Sequence, residues 1–346
     1  MTLRVADLSE QELLARINPL LPLENSRVAL VGTGDDGAVI AAPDGRFVVS
    51  TDVLVENRHF RMCWSTGFDV GWRAVMQNLA DIAAMGARPT AIVVGLVMPG
   101  DLAVTWVEDF ARGMASACRK HGVIVAGGDL SGGDAVMVAV TVHGSLEGRD
   151  PVLRSGARVG DVVAHAGVIG HSARGLALLE ASSASIFDDG GGGAVPGDGS
   201  DSCVPREGDA RNETSVLSET RVLSETRVLS EPDVVAFLRP DPPIELGVVA
   251  NDAGVTAMID VSDGLLLDAS RIADASGVTL DLSLATEQYS AAELAGGEDH
   301  GLLATFPAQS VLPEGFTVMG HVKPRSETPA DDAGDTASQG WDHFRH

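Results

Sequence analysis

Six aspartates carry most of the chemistry open to this sequence of 346 residues. Asp36, Asp52, Asp129, Asp260 and Asp263 recur near Gly or Ser at the ends of apolar, β-branched runs, and Asp81 sits within a helical run. Carboxylates are depleted from strands, so a placement repeated this often asks for a ligand. Hard oxygen donors without clustered His or Cys point to Mg2+ rather than zinc. A few carboxylates together with bound phosphates is the usual way to hold that ion. Singly, the motifs have plainer readings. Asp44, in Pro43-Asp44-Gly45, reads as a solvated turn residue. Gly127-Gly128-Asp129 fits either a glycine turn with a capping carboxylate or a close approach to a ligand. Asn78 and Asp81, three apart, share a helix face that is either solvated or packed against other backbone. Arg154 is either a surface arginine or a bidentate phosphate ligand.

Gly32, Gly34 and Gly37 spell G-x-G-x-x-G, yet a dinucleotide site needs a strand before that motif and a helix after it. Here Ala38 to Ala42 and Pro-Asp-Gly follow, a strand and a turn, and Asp35 and Asp36 would repel a bare pyrophosphate. A cation between aspartates and phosphate removes that conflict.

The elements that must hold these residues follow from periodicity and caps. Ser9 and Glu12 make a capping box for a short helix over residues 8–20. Runs at 27–31 and 47–55 read as strands of a hairpin region. Phe68 to Ala87 reads as an amphipathic helix, capped by Asp69 and stopped by Gly86. A strand at Ala91 to Met98, a helix at Asp101 to His121, a strand at Val123 to Ala126 and one at Val136 to Leu146 complete a first α/β unit, residues 1–148. The second unit, 149–346, opens with a strand at Val159 to Ala164 and a helix at Gly170 to Ser183. Their glycine-rich junction, 167–175, suits the placing of amides against an anion. A helix from Ile244 to Ala253, strands at 258–261, 278–282 and 302–306, and a helix at Leu265 to Ser276 follow. Between them, residues 185–232 change to Gly, Ser and Asp and then repeat a hexad three times, the composition of a disordered insertion. The class is α/β (α+β).

Net charge is −25, which argues against nucleic acid or an anionic membrane as a partner. Lys120 and Lys323 are the two lysines, and neither follows a Walker A pattern. The protein-kinase motif set is absent too. Phosphates must therefore be met by metal, arginine and backbone amides. Cys63, Cys118 and Cys203 are widely spaced and read as isolated thiols. With no leader-like N-terminus and no apolar run of spanning length, a cytoplasmic protein is expected.

In order and wording the motifs are specific. They are Gly34-Asp35-Asp36, Ser50-Thr51-Asp52, His59-Phe60, the run Asn78 to Ala87 (NLADIAAMGA), Gly127-Gly128-Asp129 and Arg154-Ser155-Gly156. Asp260-Val261-Ser262-Asp263-Gly264, Gly296-Gly297-Glu298-Asp299 and Gly340-Trp341-Asp342-His343-Phe344 complete the set. On these, the chain outside the insertion resembles the thiamine-monophosphate kinases, within the superfamily that includes aminoimidazole ribonucleotide synthetase. The resemblance implies that superfamily's two-domain fold and a homodimer in which N-terminal strands form a shared barrel. It implies ATP- and Mg2+-dependent phosphorylation of thiamine monophosphate to thiamine diphosphate by direct in-line transfer. By the same resemblance, Asp36, Ser50, Thr51, Asp52, Asp81, Asp129, Asp260 and Asp263 would hold Mg2+. Gly128, Asp129, Arg154 and Ser262 would contact ATP, and His59, Glu298 and Trp341 the thiamine monophosphate. The chain departs from the family pattern at His300-Gly301, where Tyr-Glu is common, at Leu130, where a threonine is usual, and in its insertion. Two rival readings stay open: another ATP-dependent enzyme of the superfamily, or a non-catalytic sensor that binds a nucleotide or thiamine phosphate.

Overall fold

The computed structural model describes residues 2–22, 27–31, 38–188 and 228–325. Asp36 with its glycine motif, Cys203, residues 189–227 of the expected insertion and the segment containing Trp341 lie outside the described residues. Ser9 opens α1 (Glu10–Ile17) through the expected reciprocal box, with Glu12 Oε2 accepting from Ser9 N at 2.8 Å. β1 (Ala29–Val31) and β2 (Val39–Ile40) pair antiparallel as a short ribbon. The turn at Pro43 does not fold β2 onto the next strand; β3 (Val48–Val55) joins the main sheet instead. Then come α2 (Gly67–Ala84), β4 (Arg88–Met98), α3 (Val104–His121), β5 (Ile124–Gly132) and β6 (Met137–Ser145). These four strands make a mixed sheet, ordered β3-β6-β4-β5, in which the β4–β5 pair is parallel.

The remaining chain runs through β7 (Val162–Ala166), α4 (His171–Asp188), α5 (Pro232–Leu238), α6 (Glu245–Asp252) and β8 (Ala257–Asp260). It continues as α7 (Leu265–Ser276), β9 (Val278–Asp281), α8 (Ser283–Gln288), α9 (Ala291–Ala295), β10 (Leu302–Phe306) and β11 (Phe316–Pro324). Its five strands form an antiparallel sheet ordered β8-β10-β7-β11-β9. Alternation along these strands sends Ala164, Met258, Leu302 and Phe306 into the same core as α2, and Val163, Ile259 and Leu303 into a second core under α7.

α2 lies between the two sheets. Fifteen of its 18 residues are buried, so it is covered nearly all round rather than along one stripe as its sequence suggested. It packs on α3 so closely that a Cβ on Gly71 would stand 2.1 Å from Phe110 O. On its other sides it meets β3 and β6 of the first sheet and β8 and β10 of the second. Its N-cap is Thr66, not Asp69. Asp69 is the N3 partner of the box, accepting from Thr66 N at 2.8 Å and from Thr66 Oγ1 at 2.7 Å. The Thr-x-x-Asp spacing carried that information.

β5 also differs from expectation. It does not stop at Ala126 but continues through Gly127, Gly128 and Asp129, after a register shift opposite Ile92 and Val93. Pairing with β4 sustains it where intrinsic strand preference fails. Cys118 is a free buried thiol, and burial pushes its ionisation up to about 12. Cys63 is disulfide-bonded, against the expectation of isolated thiols, because separation in sequence says nothing of approach in space.

Candidate active site

Polar side chains collect where α2 faces both sheets. On α2, Arg73, Gln77 and Asp81 are four residues apart and so share one face, with Asn78 beside them. Ser50 and Asp52 alternate with exposed residues on β3 and point the same way as buried Leu54, toward α2. Asp260 ends β8 on the face of Met258 and is buried.

Short contacts tie the cluster together. Ser50 Oγ donates to Asp81 Oδ2 at 2.6 Å. Asn78 Oδ1 accepts from Asp52 N at 3.2 Å, while its Nδ2 donates to Ala74 O at 2.8 Å. Gln77 Nε2 reaches Asp52 Oδ2 at 3.4 Å. Burial, then the Asp260 and Asp52 charges, raise the Asp81 carboxyl to about 7. Burial raises Asp52 as well, with His300 opposing it and Asp260 adding to it. Carboxylates from three elements thus crowd one half-buried place. Among the described residues no three acidic or imidazole groups close tightly around a single point.

The loop Gly296 to Gly301 supplies the other wall. Glu298 and His300 both have positive φ, 70° and 53°. Such backbone costs roughly 1–3 kcal/mol per residue and persists only where its surroundings enforce it. Here Glu298 N donates to Ser262 O at 2.9 Å and His300 N to Val261 O at 3.0 Å. His300 Nδ1 lies 3.4 Å from Asp260 Oδ2, and Nε2 lies 3.6 Å from Glu298 Oε2. Burial opposes a charge on His300, but these two carboxylates outweigh it and raise its ionisation to about 10. Burial likewise opposes a charge on Glu298, and Arg73 and His300 overcome it, holding the carboxyl well below its usual range.

Asp299 turns the other way. Its two oxygens accept from Gly170 N at 2.6 Å and Ser172 N at 2.8 Å, at the start of α4. The glycine-rich junction expected to offer amides to an external anion is therefore filled by the chain's own carboxylate.

The structure brings Ser50, Asp52, Asp81, Asp260 and Glu298 together, with Ser262 and Asp263 packed against the Glu298 loop, and turns Asp129 and Thr51 away from them. Asp129 is exposed in register with Gly95, three strands from β3 and on the face turned away from α2. Thr51 shares that outer face, its Oγ1 donating to Val140 O at 2.9 Å. Asp263 pairs with Arg271 at 2.6 Å. Gly128 and Arg154 are exposed, and Ser262 contributes its carbonyl to the Glu298 loop. His59 Nδ1 accepts from Val55 N at 3.0 Å in the turn after β3. Arg73, Gln77 and His300 went unassigned in the sequence; the four-residue spacing of Arg73, Gln77 and Asp81 was the available signal.

The family of the AIR synthase related protein, N-terminal domain, matches residues 34–146. Over 309 residues the chain is 39% identical to the thiamine-monophosphate kinase of Mycobacterium tuberculosis (strain H37Rv), spanning 85% of this chain and 79% of that protein. The crystal structure of the thiamine-monophosphate kinase from Stenotrophomonas maltophilia K279a superposes with a TM-score of 0.67 at 25% identity, over 92% of this chain and 95% of that one. AaThiL complexed with AMPPCP and TMP matches with a TM-score of 0.61 at 28% identity, over 94% of each chain.

Proposed function

The chain belongs to the thiamine-monophosphate kinase family, and from that premise we propose that it transfers the terminal phosphoryl group of ATP onto the phosphate of thiamine monophosphate. Thiamine diphosphate and ADP are the products. One observation carries the reading: Ser50 and Asp52 of β3, Asp81 of α2 and Asp260 of β8 meet beside Glu298.

The residues suit Mg2+. Their donors are hard oxygens, and their crowding is the kind a divalent cation relieves. Ser50, Asp52, Asp81 and Asp260 would hold it, and Asp36, Thr51, Asp129 and Asp263 join the set by family resemblance. When bound, the ion supplies the positive charge that lets two phosphates approach and align. The attacking oxygen is already ionised near neutral pH, so no general base is needed. Gly128, Asp129, Arg154 and Ser262 are assigned to ATP, Arg154 for its exposed, phosphate-matching fork. His59, Glu298 and Trp341 are assigned to thiamine monophosphate, whose cationic thiazolium suits a carboxylate and an aromatic face.

The reading includes a division of the chain at residues 148 and 149, a cytoplasmic setting where ATP is supplied, and a homodimer. No described helix is long and apolar enough to cross a membrane. A second copy would cover the outer face of the first sheet, where Val49, Val53 and Met137 are 54%, 43% and 38% exposed. A coupled assay with ATP and Mg2+ tests the reaction, with thiamine monophosphate, free thiamine and formylglycinamidine ribonucleotide as separate acceptors. Turnover of thiamine monophosphate alone is expected. Binding without turnover would replace the reading with a sensor, and turnover of the ribonucleotide alone would replace it with a synthetase.

A further inference from the structure

Arg73 is the most deeply placed cation beside the candidate site, and the reaction outlined above gives it no part. It sits on α2 at 3% exposure. Its Nη2 donates to Glu298 Oε2, its Nη1 lies 3.5 Å from Phe237 O, and its guanidinium stacks 4.9 Å from the Phe237 ring. Nε is buried without a hydrogen-bond partner among the described residues. An ion pair this deep is poor value as a stabiliser, because desolvation of both charges consumes most of the Coulombic gain. Its geometry serves something else.

Both contacts recorded for the Glu298 carboxylate fall on one oxygen. Arg73 and His300 meet Oε2, and Oε1 has no partner among the described residues. The Glu298 side chain keeps 31% of its surface exposed while that of Arg73 keeps 4%. The backbone at Glu298 is fixed as well, by positive φ and by its bond to Ser262 O. One oxygen is anchored from the protein side, and Oε1 is left without an anchor among the described residues on a side chain that stays partly exposed. We propose that Arg73 is a positioning residue that holds Glu298 so that Oε1 is presented to a hydrogen-bond donor or cationic ring of the acceptor substrate. Glu298 reaches the ligand; Arg73 acts through it. A planar guanidinium held by stacking fixes a carboxylate orientation that a flexible ammonium holds less well.

This rests on the assignment of Glu298 to thiamine monophosphate, and the experiment separates the two. Arg73→Met, Arg73→Lys, Glu298→Gln and the double variant Arg73→Met/Glu298→Gln are titrated with thiamine monophosphate by calorimetry without ATP, and assayed for KM and kcat. Loss of a charge-supported hydrogen bond corresponds to about 10–100-fold in affinity. Arg73→Met is expected to weaken thiamine monophosphate binding and raise its KM by about that factor, with the KM for ATP within about twofold of wild type. Arg73→Lys should recover part of the loss, and the double variant should bind no more weakly than Glu298→Gln. Full-strength binding by Arg73→Met overturns the positioning role and leaves the reaction standing. Equal losses for ATP and thiamine monophosphate, with a lowered unfolding midpoint and no recovery by lysine, also overturn it by making Arg73 purely structural. If wild-type protein itself fails to bind thiamine monophosphate, the parent assignment falls with it.

Discussion

Asp81 shows how a residue of the candidate site can cost the fold. It is half-buried among other carboxylates, and among the described residues Ser50 donates the one hydrogen bond that eases its charge. Asp81→Asn should therefore lower kcat by about 10²-fold or more at saturating Mg2+, the scale of losing a charge-stabilising group. It should also raise the thermal midpoint measured in chelator. Retained activity at limiting Mg2+ would remove Asp81 from the metal set. His165 carries a different message. It is 2% exposed on β7, Nε2 has no partner among the described residues, and burial lowers its ionisation to about 4. Between that value and the 6.5 of an open chain, the unfolded state binds the proton and the native state does not. Stability is thus full above pH 6.5 and falls as pH drops, by about 1.4 kcal/mol per unit and at most about 3 kcal/mol in total. Urea unfolding at pH 4.5, 5.5 and 7 should show a shallower acid loss in His165→Leu than in wild type. Asp52 and Asp260 stood out because carboxylates break strand composition. Arg73 and His300 did not, because their partners stand 225 and 40 residues away.

At the level of elements, α2 was legible in extent and misread in setting. Val75, Leu79 and Ile82 gave the helical period, and Gly86, at φ 68°, gave the stop. The scarcity of charges in the same run was the sign of burial on all sides. Its caps and close contacts can be graded by stability. Thr66→Ala removes the box and should cost about 1 kcal/mol. Gly71→Ala drives a methyl toward Phe110 O, 2.1 Å from the ideal Cβ, and should cost about 2–3 kcal/mol, since α2 or α3 must move. Denaturant midpoints check both, and a neutral Gly71→Ala would mean the helices separate freely. The extension of β5 was hidden because glycines carry no strand preference of their own; the pairing with β4 supplies it. The filling of the α4 start by Asp299 was hidden for the same reason, a contact across 129 residues.

For the whole molecule, strand-forming runs announced two α/β units, and the sheets with their strand order had to come from the structure. β3 pairs with β6, and β10 lies between β7 and β8, connections that no local signal encodes. The outer face of the first sheet is where assembly can be tested. Val53 is 43% exposed beside the β6 strand, and Val53→Lys puts a charge into the apolar patch. Wild-type protein should sediment at the mass of two chains and Val53→Lys at the mass of one at low micromolar concentration. A wild-type monomer would end the shared-barrel proposal.

The position of α2 between the sheets bears on how the protein is made. More than 200 residues separate Ala84, where α2 ends, from Leu302, where β10 begins. A ribosome adding 5–20 residues per second needs about ten to forty seconds to deliver that strand. Throughout that interval the nascent first sheet carries a helix whose far side lacks the completed second sheet. Until synthesis reaches β10, the ribosome-bound chain is a natural client for chaperones and the stage most exposed to aggregation.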